Sequence, residues 1–150
     1  MTALAHDIGF LLARASGLVV RSTNERLGRH GLRVRQYSVL TLVCEAQDGL
    51  SQRELAGVLG LDPSQVVLLL DELASAGLVQ RTPSPADRRT KLVSATAAGR
   101  ERQAEAAQDV DGAVYAQMAD LTVEERYQLR ALLTRVITGT GSETQPAQPG

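Results

Sequence analysis

The stretch LSQRELAGVLGLDPSQVVLLLDELASAGLV, residues 50 to 79, constrains this chain more than any other. Ser51 and Glu54 have the spacing of a capping box, in which each side chain satisfies a backbone donor at a helix start. They predict a short third helix running through Leu59. Gly60 and Leu61 supply a tight turn, and Asp62 followed by Pro63 gives an N-cap with proline at the first helical position. A fourth helix then runs to about Ala76 and closes on Gly77. Two short helices joined by so brief a turn form a helix-turn-helix.

The flanking segments are read the same way. Residues 4 to 27 place Leu4, Ile8, Leu11, Leu12, Ala15, Leu18, Val19 and Leu27 at helical spacing, predicting one long amphipathic helix that ends near Gly28 or Gly31. So wide an apolar stripe needs a partner. VRQYSVLTLVCEA, residues 34 to 46, reads as a second helix burying Tyr37, Leu40, Val43 and Cys44. After Gly77, LVQRT and KLVSA are short strand-like runs. A hairpin directly behind a helix-turn-helix makes a wing. Thr96 caps a fifth helix from Ala97 to about Met118, and Thr122 with Glu125 forms another capping box ahead of a sixth through about Ile137. The tail, residues 139–150, lacks apolar periodicity and is expected to be disordered.

With 43% hydrophobic but only 3% aromatic residues, the core must come from Leu, Val and Ala, and so few rings disfavour an aromatic platform for stacking RNA bases. The net charge of -1 is unevenly spread. Residues 21 to 35 carry five arginines against Glu25, and residues 81 to 91 carry Arg81, Arg88, Arg89 and Lys91 against Asp87. Residues 101 to 125 carry seven acids against Arg102. The chain is therefore polarised, with basic segments early and an acidic one late. A lone Cys44 rules out an internal disulfide and suits a reducing compartment. IGFLLARASGLVV lacks a basic leader and is broken by Arg14, and no apolar run reaches the ~20 residues of a membrane span. A cytoplasmic protein with no membrane partner is expected.

On the fourth helix, 100° per residue puts Val66, Leu69, Leu70 and Leu73 on a core face and Ser64, Leu68, Asp71 and Ser75 opposite, flanked by Gln65 and Val67. Early residues of such a helix meet base edges: glutamine pairs with adenine, serine bonds either way, and apolar groups touch thymine methyls. Ser64, Gln65, Val67 and Leu68 are the expected base readers. The alternative is that Val67 and Leu68 pack against a neighbouring element, as large aliphatics usually do. In PSPADRRTKLV, residues 83 to 93, the prolines stiffen the strand exit, Asp87 can hold a guanidinium, and the other arginine can enter a minor groove. The plainer reading is a solvated charged loop, which the position behind a helix-turn-helix disfavours.

LRVRQYSVL, the helix-turn-helix through Arg81, and DRRTKLVSATAAGR together resemble the MarR (multiple antibiotic resistance regulator) family of transcription factors, over residues 4 to 138. The resemblance implies a mainly α fold with a small β-hairpin wing: a winged helix-turn-helix at about 34–96, inside a single domain at 1–138, dimerising through helices at 4–28 and 97–138. It implies a homodimer, intertwined through its N- and C-terminal helices, on a pseudo-palindromic operator in double-stranded DNA. The function implied is that of a ligand-responsive repressor without a cofactor. The family's wing pair falls on Asp87 and Arg89, the aspartate orienting the arginine, with Arg88 as a second contact. Phosphate contacts fall on Arg33, Arg35, Gln36, Arg53, Arg81 and Lys91. Many relatives bind a small aromatic or phenolic effector between the dimer helices and the DNA lobes. Two departures stand out: Val67 and Leu68 replace a common Thr-Arg pair, and Ala95 with Thr96 replaces a common Leu-Thr.

Other classes find less support. Cys44 falls on a predicted buried face, so a thiol redox switch is the weaker reading. A dimeric sensor of the same fold that does not read DNA is another alternative, given the apolar reader helix. His6 and His30 lack further ligands within sequence reach, so no metal is expected. No phosphate loop, dinucleotide fingerprint or nucleophile elbow is present, and an enzyme is not expected.

Overall fold

The computed structural model describes residues 3–139, and the expected disordered tail falls outside them apart from Gly139, which ends the last helix. Capping chemistry sets most of the element boundaries. Asp7 breaks the expected first helix in two: its carboxylate accepts the Phe10 N–H at 2.6 Å, leaving a single 3-10 turn at Ala3–His6 and starting α1 at Ile8–Leu27. A second 3-10 turn, Gly28–His30, ends on Gly31 in the left-handed conformation. α2 spans Val34–Glu45, with its Val34 N–H held by Asn24 at 2.9 Å.

The helix-turn-helix forms where its caps place it. Ser51 Oγ accepts from Glu54 N at 3.2 Å while Glu54 Oε2 accepts from Ser51 N at 2.8 Å, opening α3 at Gln52–Leu59. Gly60, at φ 63, takes the left-handed turn that a side chain would strain. α4 follows at Pro63–Ser75.

Three strands make the sheet where a two-stranded hairpin was expected. β1 (Leu50–Ser51) and β2 (Val79–Pro83) flank β3 (Lys91–Ala95), both antiparallel to it. The extra pairing sets Leu50 against Val93 and Ser51 against Leu92, so the residue that caps α3 is also a strand residue. α5 covers Ala97–Gln117 and α6 Val123–Gly139. Thr96 Oγ1 donates to Gly77 O at 2.6 Å and accepts from Gly99 N at 3.0 Å, so one hydroxyl joins the end of the helix-turn-helix to the start of α5.

The chain divides into two compact units, Met1–Val114 and Tyr115–Gly150. In the first, Leu27, Val39, Leu40, Val43, Leu55, Val66, Leu70, Leu73, Leu78 and Val93 are buried together, each contributing on the order of 1.5–3 kcal/mol by leaving water. Leu69, Tyr37 and Cys44, expected inside, are only half-buried, while Val39, Leu55 and Leu78 complete the core. Gly99 lets α5 approach: a Cβ there would collide with the Leu78 carbonyl oxygen. In the second unit, Thr122 and Glu125 cap α6 reciprocally, and the Arg126 guanidinium lies 4.7 Å from the Tyr115 ring centroid. No helix among the described residues is long and apolar enough to cross a membrane.

Candidate nucleic-acid interface

The outer face of α4 carries Ser64, Leu68, Asp71 and Ser75, all exposed, with Leu68 at 64%. Val67 is half-buried, so the two residues that stand where a Thr-Arg pair is common have different surroundings. Gln65 is committed locally: its Oε1 accepts the Asp62 N–H at 3.2 Å, the reaching-back half of a capping box. Bidentate pairing with adenine needs that oxygen as well as the amide nitrogen, so Gln65 would have to leave the cap to read a base this way. Asp62 and Gln65 are three residues apart, the same spacing as Ser51 and Glu54, so this contact is legible in the sequence.

At the wing, Asp87 does not pair with a guanidinium. Its Oδ1 accepts the Arg89 backbone N–H at 3.0 Å and its Oδ2 the Thr90 hydroxyl at 3.4 Å, while its carbonyl accepts Thr90 N at 3.0 Å. Ser84 N then donates to Thr90 O at 2.7 Å, closing the tip between Pro83 and Lys91, which oppose each other in register. The aspartate thus shapes the backbone that presents Arg89, and Arg88, Arg89 and Lys91 are left exposed. The physical reason is reach: a carboxylate two residues ahead meets the main-chain amide in a tight turn before it meets a flexible guanidinium.

The expected phosphate contacts divide into two groups. Arg33, Arg35 and Arg53 are exposed, the first two at the start of α2 and the third in the first turn of α3. Gln36 and Arg81 are instead engaged inside the chain. Gln36 accepts the Arg33 N–H at 3.0 Å and donates to Glu72 on α4, beside an open cleft of about 610 Å³ lined also by Asn24, Gly28, Gly31 and Leu32. Arg81 Nη2 lies 2.6 Å from Asp71 Oδ1, linking β2 to the outer face of α4.

Away from this surface, His30 Nε2 lies 2.8 Å from Asp109 Oδ2 on α5, and Arg102 Nη1 donates to the His30 carbonyl at 2.7 Å. The His30 hydrogen bond holds the Asp109 carboxyl below its ordinary range, helped by Arg29 and Arg26. Burial pushes the Cys44 thiol up, against the pull of the Arg100 guanidinium, which favours an unreactive thiol. No cluster of three or more metal-ligating side chains occurs among the described residues.

A model of the MarR family matches residues 30–90, from the 3-10 turn to the wing tip. A solved transcriptional regulator of the MarR family from Rhodococcus sp. RHA1 is 44% identical, with the match covering 91% of this chain and 98% of that one at a TM-score of 0.84. The chain belongs to the MarR family. This MarR-family chain is also 42% identical to CouR from Rhodococcus jostii RHA1, solved bound to p-coumaroyl-CoA, over 100% of both chains at a TM-score of 0.84. A mutant of Escherichia coli MarR, solved with operator DNA, is 29% identical, covering 86% of this chain and 92% of that one at a TM-score of 0.78. The first two curated relatives, HTH-type transcriptional regulators of Escherichia coli and Bacillus subtilis, are matched over only 58% and 64% of their own lengths. These relatives are transcriptional regulators and not enzymes.

Proposed function

We propose that this protein is a sequence-specific, DNA-binding transcriptional repressor that acts as a homodimer on a pseudo-palindromic operator. The observation that carries the reading is the pairing of a capped α4, exposed along its outer face, with a hydrogen-bonded wing tip presenting Arg88 and Arg89. In this reading the first turns of α4 enter a major groove, Arg89 enters the adjacent minor groove, and Arg33, Arg35, Arg53 and Lys91 contact phosphates. The likeness to E. coli MarR, solved with operator DNA, supports it.

Dimerisation follows from uncovered apolar surface. Ile8, Leu11, Leu12 and Leu18 on α1 are exposed, as are Val123, Tyr127, Leu132, Val136 and Ile137 on α6. Apolar faces this extensive are normally covered by a partner, and a second copy would place two α4 helices about 34–36 Å apart on one duplex face. Because CouR is solved with p-coumaroyl-CoA, we assign the effector to the same class, an aromatic or phenolic acyl group. Such a ligand releases DNA only by preferring a lobe spacing the operator cannot accept.

The test is selection of random duplexes by the purified full chain, with its mass in solution measured in parallel. An enriched palindrome with half-sites one helical turn apart, bound by a dimer and released by p-coumaroyl-CoA, is expected. A monomer that enriches no sequence would refute the reading.

A further inference from the structure

The outer face of α4 offers little polar chemistry for a base edge. Asp71 is paired with Arg81, so the one formal charge on that face among Ser64, Leu68, Asp71 and Ser75 is countered within the chain. Gln65 has its amide oxygen in the cap, and Val67 is half-buried. What the first two turns still hold out is the Ser64 hydroxyl, the Gln65 amide nitrogen and the Leu68 isobutyl group, 64% exposed. A leucine can neither donate nor accept a hydrogen bond. In a major groove its only complement is another apolar group, and the base pairs present one, the pyrimidine 5-methyl group that thymine carries and cytosine lacks.

We infer that Leu68 reads a pyrimidine 5-methyl group, so that this protein recognises thymine at that operator position by its methyl rather than by its hydrogen-bonding edge. The inference rests on the reading of α4 as the helix that enters the major groove. It carries a consequence that a polar reader would not have. Thymine and 5-methylcytosine differ at position 4, an acceptor in one and a donor in the other, but share the methyl. Leu68 does not sense position 4, so 5-methylcytosine paired with guanine substitutes for thymine there and unmodified cytosine does not.

The experiment uses the full chain and the duplex enriched by selection, with each thymine replaced in turn by deoxyuridine, which removes only the methyl. Affinity is read by fluorescence anisotropy at fixed salt. At one or two thymines per half-site deoxyuridine is expected to weaken binding about fourfold, the equivalent of one buried methyl group, and 5-methylcytosine to restore the affinity that cytosine loses. Leu68→Ala is expected to weaken the thymine duplex by a similar factor and to become indifferent to deoxyuridine. Leu68→Met, similar in volume, should keep the preference. Arg89→Ala serves as the control, lowering thymine and deoxyuridine duplexes alike. If DNA binds tightly but every deoxyuridine duplex matches the thymine one, or if Leu68→Ala keeps the full deoxyuridine penalty, methyl reading is overturned while DNA binding stands. If no duplex is enriched at all, the major-groove assignment of α4 falls with it.

Discussion

Arg81 on β2 reaches across to Asp71 on α4, Nη2 to Oδ1 at 2.6 Å, and so fastens the wing to the helix beside it. The arginine side chain is 24% exposed and the aspartate 56%, so the pair adds little to global stability, on the order of 0–1 kcal/mol. Its effect should lie in geometry and charge. A carboxylate on a surface that meets phosphates repels them unless it is countered.

Arg81→Ala is therefore expected to weaken operator binding about tenfold, a change on the order of 1.4 kcal/mol, with a thermal midpoint close to the parent's. Adding Asp71→Asn should recover most of the loss. A double-mutant cycle in anisotropy and in thermal melting checks this. Equal losses in the single and double variants would show that Arg81 acts by touching DNA directly.

For the wing tip, Arg89→Ala should reduce the slope of log affinity against log salt by about one, the signature of one cation withdrawn from the duplex. Asp87→Ala, which removes the acceptor of the Arg89 N–H, should lower affinity several-fold while leaving that slope nearly unchanged. Salt titrations of the two variants separate a lost charge from a loosened one.

Gly99→Ala tests the packing of α5. Its Cβ would collide with the Leu78 carbonyl oxygen and meet Leu40 Cδ1 at 3.3 Å, and the nearer contact is backbone that cannot rotate away. Urea unfolding should show a loss of about 1–3 kcal/mol or more. A neutral result would mean α5 can slide on the helix-turn-helix without cost.

Acid should act through Asp109. Its carboxyl is held below the ordinary range first by the His30 hydrogen bond, so its contribution is complete above the unfolded aspartate value and is lost as the pH falls towards the lower folded one. Asp109→Asn is expected to flatten the acid side of the stability profile below about pH 4, near the ordinary aspartate value. Denaturant midpoints measured from pH 3 to 7 would reveal an unchanged acid limb if the pair contributes nothing.

Cys44 should behave as an inert thiol. Since burial raises its pKa, alkylation by iodoacetamide at neutral pH is expected to be slower than for a free cysteine, and peroxide should leave operator affinity unchanged. Peroxide-dependent release that Cys44→Ser abolishes would instead establish a redox switch.

Features whose causes lie within a few residues of chain could be read before any coordinates. Ser51 with Glu54, and Thr122 with Glu125, form capping boxes three residues apart, and Gly60 and Gly77 take left-handed turns no other residue adopts as cheaply, so these helices and their ends could be read directly. The Asp7 break and the Asp62–Gln65 cap were equally local and legible by the same rule. Other features depend on residues far apart in the chain and came from the fold: β1 pairing Leu50 with Val93, His30 reaching Asp109, Thr96 joining Gly77 to α5, and Gln36 turning to Glu72. It also settled which of Val67 and Leu68 is left open, since a helical wheel gives directions but not the neighbours that fill them. A cap is fixed within one turn of chain, whereas a side chain's exposure and ion-pair partner depend on which distant element packs beside it.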